Sequence, residues 1–208
     1  MRIETEPDQL SSIDFYRLLT NLVIPRPIAW VSTVDEQGRT NLAPHSFFTV
    51  ASANPPIVQF TSVGRKDTLR NIEQTGQFTV CLATRHHLEA VNATATEFEA
   101  GRSEFTEVGI QPEPSKLVAP PRVADSPAAL ECELERIIEV GDSFLVLGKV
   151  VQAAVSDNVY NDQRRPDAQL LNPLARLGGS QWSALGDIVT IRRIPLDAWD
   201  GVEGTERD

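Results

Sequence analysis

The sequence predicts a mainly-β fold in which six or seven antiparallel strands close into a barrel, and three observations carry that reading. Val, Ile, Phe and Thr concentrate in short runs bounded by Gly, Pro and Asn, so residues that suit a pleated surface alternate with residues that end it. The runs are not separated by regular crossover helices of about 10 to 15 residues, which a parallel doubly wound sheet requires. Leu130, Cys132, Leu134 and Arg136 alternate with Glu131, Glu133 and Glu135, the period-two pattern of a strand with one wet face. Closure then removes the unpaired edges that such strands would expose.

Along the chain, Ile13 to Leu22 reads as a short helix, followed by strands at Ile28 to Val34, Thr40 to Phe48 and Ile57 to Val63. Asp67 to Gln74 carries a cap residue, Leu69 and Ile72 at a spacing of three, and Gly76 just beyond, which predicts a helix with Asp67 as its N-cap. A strand is expected at Phe78 to Ala83, and a helix at His86 to Thr96 with Leu88 and Val91 on one face. Pro112 to Pro127 is proline-rich and reads as an extended excursion over the surface. Strands at Ala129 to Glu139 and Ser143 to Ala154 flank Gly141-Asp142 and form a hairpin, with a bulge expected where the alternation slips at Ile137-Ile138. Pro166 to Gly179 is a loop or short helix before a last strand at Ile188 to Ile194. The 208 residues suit one domain, with a barrel core over about 20–195 and a tail over 196–208.

A formal net charge of −10 argues against a nucleic-acid or anionic-membrane surface, since both require basic patches. Cys81 and Cys132 lie inside apolar runs and read as buried free thiols. The opening MRIETEPDQL is acidic and polar, and no apolar stretch approaches the roughly 20 residues of a membrane span. A cytoplasmic location is the expectation, with a small molecule as partner.

Several chemistries lack their residues. No GxGxxG follows a strand and no GxxxxGK[ST] occurs, which removes the usual dinucleotide and P-loop sites. His45, His86, His87 and two separated cysteines make no zinc set, because adjacent histidines on a helix face different ways. Serine hydrolase chemistry has no GxSxG elbow, and neighbours on a strand point to opposite faces, so His45-Ser46 is a poor dyad. No metal site and no catalytic side chain is expected.

Two segments do point to a ligand. In TNLAPHSFF the small Ala43 and Ser46 leave the backbone approachable and Pro44 stiffens the strand end, so a planar ring could lie there with backbone N–H groups at its edge. An ordinary strand leading into a bulge is the competing reading. In VGRKDTLRNI, Gly64 turns the chain, Arg65-Lys66 bring positive charge, and Thr68 with the first helical N–H groups forms an anion site. Asp67 as N-cap would occupy those donors and repel a phosphate, leaving only a capped, solvated helix.

PRPIAWVST, DEQG, NLAPHSFF, NPP and KDTLRNI, with ALECEL and RLGG later, together resemble the flavin reductase-like family of FMN-binding split barrels. The resemblance runs from about Leu22 to Trp182 and rests on the order and spacing of the motifs. It implies a six-stranded Greek-key split β-barrel, a homodimer, and FMN held near the subunit interface. By position, Asn41, Ala43, Pro44, His45 and Ser46 correspond to the stretch along the isoalloxazine and ribityl chain, and Ser62, Arg65, Lys66 and Thr68 to the stretch at the phosphate. Arg26 and Arg176 are implied near the flavin, a dimer-interface salt bridge being the alternative for Arg176. Trp182 stands where family members often carry Tyr.

The resemblance implies an NAD(P)H-dependent flavin oxidoreductase, with NADH or NADPH as transient reductant and free flavin, a partner monooxygenase or another acceptor as oxidant. A non-enzymatic FMN-binding or electron-carrier protein is the alternative, and a barrel without cofactor serving as an interaction module is a third.

Overall fold

The computed structural model describes residues 1–99, 101–196 and 199, so the tail expected over 196–208 lies almost wholly outside the described residues. Helix α1 (Ser12–Leu22), capped by the Ser11 hydroxyl, leads into strands β1 (Arg26–Pro27), β2 (Ala29–Val34), β3 (Thr40–His45), β4 (Phe48–Ser52) and β5 (Ile57–Val63). Helix α2 (Asp67–Thr75) ends at Gly76, whose φ of 69° is a left-handed conformation that glycine adopts without the strain a Cβ would bring. Then come β6 (Gln77–Leu82), α3 (Leu88–Ala93), α4 (Glu104–Val108), the short β7 (Pro112–Glu113) and β8 (Arg122–Val123), and the long hairpin β9 (Ala128–Val140) and β10 (Ser143–Val155). Helix α5 (Ala168–Leu171) and strands β11 (Ala175–Arg176) and β12 (Trp182–Ser183) complete the described elements.

The main sheet has seven strands in the order β3-β2-β6-β9-β10-β5-β4, within the six or seven that the strand pattern predicts and one more than the resemblance implies, and each pairing is antiparallel. The extra strand arises because the run expected as one strand over Thr40 to Phe48 breaks at Ser46-Phe47. Its two halves occupy opposite ends of the sheet. Only two residues join those edges, so the sheet must curl until they approach each other, and His45 at the end of β3 reaches the Thr61 carbonyl of β5 at 3.2 Å across the seam. β1, β11 and β12 form a separate three-stranded ladder beside it.

Strand β2 is buried along its whole length because it serves two cores. Ala29 and Val31 pack inward with Phe60, Phe78 and Val146 and with Leu69 and Ile72 of α2, while Ile28 and Trp30 pack outward with Leu42, Val91, Phe105 and Leu174. Inside, Gly148 lies so near Phe78 that a Cβ there would meet the ring at 2.1 Å. That close approach of strand to ring explains a glycine mid-strand.

The bulge in the hairpin falls at Glu135, between the pairs Leu147 with Arg136 and Gly148 with Leu134, rather than at Ile137-Ile138. A second irregularity falls between Val150 and Gln152. Glu131, expected on a wet face, is fully buried. The Pro112 to Pro127 excursion folds back over β6 and β9 and covers it, and the carboxylate accepts from the N–H groups of Lys116 (2.9 Å) and Leu117 (2.6 Å) and from Arg122. Burial alone would raise its pKa, but those donors outweigh burial and hold it below the usual range.

Helix α3 is shorter than the expected His86 to Thr96, because a 3-10 turn over Arg85–His87 precedes it. Cys81 and Cys132 are buried free thiols, pushed by burial up to about 12. The strand expected over Ile188 to Ile194 does not form: the segment has no ladder partner, and Val189 and Ile191 stand 86% and 88% exposed. The sheet edges it would have needed are turned toward each other. Among the described residues no helix is long and apolar enough to cross a membrane.

Candidate functional site

The seam between β3, β5 and α2 opens into a cavity of ≈ 430 Å³, a size that suits a small organic ligand. It gathers Asn41, Ala43, Pro44, His45 and Ser46 from one segment and Ser62, Arg65, Lys66 and Thr68 from the other. The two stretches singled out separately in the sequence therefore face one space. Arg26 and Arg176 lie in a second cavity of ≈ 440 Å³, which shares Tyr16, Pro44, Ser46 and Ala95 with the first.

At one end of the first cavity, helix α2 starts differently from expectation. Lys66, not Asp67, is the N-cap, and no side chain caps the first turn. Asp67 is the first helical residue and pairs instead with Arg70 one turn on. The donors at the positive end of the helix are left for a ligand, which removes the objection that Asp67 would fill the anion site. Thr68 is 1% exposed and its hydroxyl accepts from Asn41 Nδ2 at 3.0 Å, so β3 and α2 are tied together at this point. The Ser62 hydroxyl donates to the Gly64 carbonyl at 3.0 Å and shapes the turn that delivers Arg65 and Lys66.

Arg65, Lys66, Arg70 and Arg102 all line this end. Each is paired across the rim: Arg65 with Glu73 at 2.7 Å, Lys66 with Glu97 at 2.9 Å, Arg70 with Asp67, and Arg102 with Glu107 at 2.7 Å. Exposed pairs of this kind contribute about 0–1 kcal/mol. A phosphate, with charge-assisted bonds worth about 1.5–3 kcal/mol each, can displace them.

The other end is built from Ala43, Pro44, His45 and Ser46 of the strand end with Thr61 of β5. His45 Nδ1–H donates to the Thr61 carbonyl at 3.2 Å, and the ring lies 4.6 Å from Phe60. Nε2 is then a bare acceptor, buried and without a partner. Burial, opposed by the Thr61 bond and reinforced by Lys66, brings the His45 pKa down to about 4, so the ring is neutral near pH 7. His45 and Ser46 make no dyad, since Ser46 Oγ accepts instead from Arg26 Nε at 3.4 Å. Glu104 accepts from the Leu42 N–H at 2.8 Å and satisfies the edge of β3, with burial raising its pKa.

The depressed pKa of His45 makes a pH prediction. Between the native value of about 4 and the ordinary 6.5, the unfolded chain takes up a proton that the native protein refuses. Stability is thus full above pH 6.5 and falls as pH drops toward 4, by at most about 3 kcal/mol. Thermal denaturation at pH 7 and pH 5 should show this slope, and His45→Asn, which keeps a donor for Thr61, should reduce it to the part left by His87, whose pKa burial also lowers.

Sequence reasoning missed Tyr16, Arg70, Arg102 and Glu97. Arg70 was within reach, because it follows Asp67 at i, i+3 on a predicted helix. The loop bearing Glu97 and Arg102 carries no periodicity and reaches the cavity only through the fold.

Residues 21–172 match the flavin reductase like domain. The chain belongs to the flavin reductase-like family. An uncharacterised protein of Halalkalibacterium halodurans is 35% identical over 203 residues, 92% of this chain and 96% of that one. Among solved structures, nitrilotriacetate monooxygenase component B from Bacillus cereus superposes with a TM-score of 0.87 at 32% identity, covering 92% of this chain and 99% of the other. A split barrel domain protein from Shewanella frigidimarina gives a TM-score of 0.84 at 22% identity, covering 92% and 100%, and bears on the fold alone. The curled seven-stranded sheet is therefore the split barrel of flavin reductase-like proteins, and the cavity at its seam is the candidate flavin site.

Proposed function

We propose that this chain is an NAD(P)H-dependent flavin oxidoreductase holding FMN in the first cavity. The observation that carries the reading is the pairing, within one cavity, of an uncapped helix start lined by four cations with a strand end of small residues, Ala43 to Ser46. FMN bound there would supply hydride chemistry at its N5.

The chain's residues have separable tasks. Thr68, Lys66, Arg65 and the first N–H groups of α2 hold the phosphate, with Arg70 and Arg102 on the rim. The backbone from Asn41 to Ser46 would lie along the ring and ribityl chain, with the neutral His45 fixing the strand end through Thr61. His45 is neutral and Glu104, the carboxylate that lines the cavity beside β3, is tied to the Leu42 N–H, so these residues position the ligand without moving a proton. Nicotinamide would stack on the exposed ring face, and electrons would pass to free flavin, a partner monooxygenase or another acceptor.

A homodimer belongs to the same proposal. Ile13, Tyr16, Leu19 and Val23 recur at helical spacing along α1 and its end, yet all are exposed, as are Ile188, Val189 and Ile191. Tyr16 lines both cavities, so a second copy covering this stripe would close over the ligands.

Purified protein should be yellow, or turn yellow with FMN, and should oxidise NADH or NADPH in air. Flavin binding without nucleotide turnover would leave the electron-carrier reading standing. A colourless protein that leaves FMN fluorescence unquenched would sink the proposal.

A further inference from the structure

The three-stranded ladder puts Arg26 directly opposite Arg176 and Arg176 directly opposite Trp182. Opposed residues of antiparallel strands send their side chains to one face, so two guanidiniums and an indole stand in a row along the second cavity. Like charges placed opposite each other are destabilising. No Asp or Glu lines this cavity to offset them, and among the described residues neither arginine pairs with a carboxylate. A cationic cavity in a chain of net charge −10 selects anions.

The two arginines do different work. Arg26 is 7% exposed, and its donors go to the carbonyls of Thr20 (2.6 Å), Val23 (2.9 Å) and Leu177 (2.8 Å) and to Ser46. It is locked in place and contributes field rather than free N–H groups. Burial, with the like charge of Arg176 beside it, lowers its pKa. Arg176 spends one Nη2 bond on the Gly179 carbonyl at 2.5 Å and lies 4.3 Å over the Trp182 ring, which fixes its plane and leaves the rest of the fork free. A planar fork held by stacking suits bidentate capture of a carboxylate.

We propose that the second cavity binds a planar organic acid, its carboxylate on Arg176 in the field of Arg26, and its ring directed to Pro44 and Ser46 where the two cavities meet. The binding stands on this ladder alone. That the acid is the compound on which the neighbouring site acts rests on the flavin reading. The anion could also be the phosphate of a dinucleotide, and the test separates the two.

Benzoate titrated into the full chain should quench tryptophan fluorescence saturably, at least tenfold tighter than the neutral isostere benzamide and tighter than inorganic pyrophosphate. Arg176→Gln should weaken benzoate at least tenfold and Arg176→Lys should restore part of it. Trp182→Phe should remove the quench while calorimetry still detects binding. FMN affinity is followed by flavin fluorescence in the same samples. Equal binding of benzamide, an indifferent Arg176→Gln, or preferred pyrophosphate would each overturn the proposal. Benzoate binding in a protein that takes no FMN would overturn the flavin reading and leave this site intact.

Discussion

Thr68→Val should weaken FMN binding roughly 10- to 100-fold while leaving the fold in place. Valine keeps the β-branched shape at a position only 1% exposed, so packing changes little. What disappears is Oγ1, which accepts from Asn41 and stands at the uncapped start of α2. A phosphate there loses one charge-assisted donor, worth about 1.5–3 kcal/mol, and Asn41 loses the bond that ties β3 to the helix. The N–H groups of the first turn remain, so binding should be weakened and not abolished. Fluorescence titration of FMN gives the affinity, and a denaturation midpoint near that of the parent protein shows that the fold survived. An unchanged FMN affinity would remove the phosphate from this end of the cavity.

Glu131→Ala should destabilise the protein by about 3–5 kcal/mol, a large share of the roughly 5–15 kcal/mol that holds a typical domain together. The carboxylate is fully buried and anchors three separate donors of the excursion, the N–H groups of Lys116 and Leu117 and the Arg122 guanidinium. Removing it leaves a part-buried cation and two backbone groups without their acceptor. Chemical denaturation should report the loss. Limited proteolysis should then cut first between Pro112 and Arg122, since Glu131 anchors three of that segment's donors and only scattered bonds such as Thr79 to the Pro120 carbonyl and Ala119 N–H to Gln77 remain. Because the Glu131 pKa is depressed, its contribution is present above the ordinary carboxylate value and is lost as pH falls through its lower native value. This window lies below that of His45, so the two effects separate in a pH series. Cleavage of the excursion no faster than in the parent protein would show that other contacts hold it.

Much of the barrel was legible because strand chemistry is local. The β9-β10 hairpin followed from alternation and from Gly141-Asp142, and α2 from Leu69, Ile72 and Gly76, all within a few residues of one another. Errors fall where a distant segment intervenes. Glu131 reads as wet until the excursion covers it. Ile188 to Ile194 has the composition of a strand, but a strand needs an open edge as well as a suitable sequence. The single strand expected over Thr40 to Phe48 divides because β3 and β4 pair with different neighbours, β2 and β5. Asp67 has the chemistry of an N-cap, yet its pairing with Arg70 moves it into the helix.

By itself the sequence determined the strand-rich class, the hairpin, helix α2 and the family, since each is written in residues close together in the chain or in the order of short motifs. Tertiary structure alone decided that Asn41 to Ser46 and Ser62 to Thr68 share one cavity, that Arg70 and Arg102 join them, and that Arg26, Arg176 and Trp182 stand in a row beside it. Arg26 and Arg176 are opposed across a ladder pair although 150 positions separate them, the difference of their residue numbers. No local pattern encodes such a meeting: it depends on sheet curvature and strand register, which the whole chain settles together.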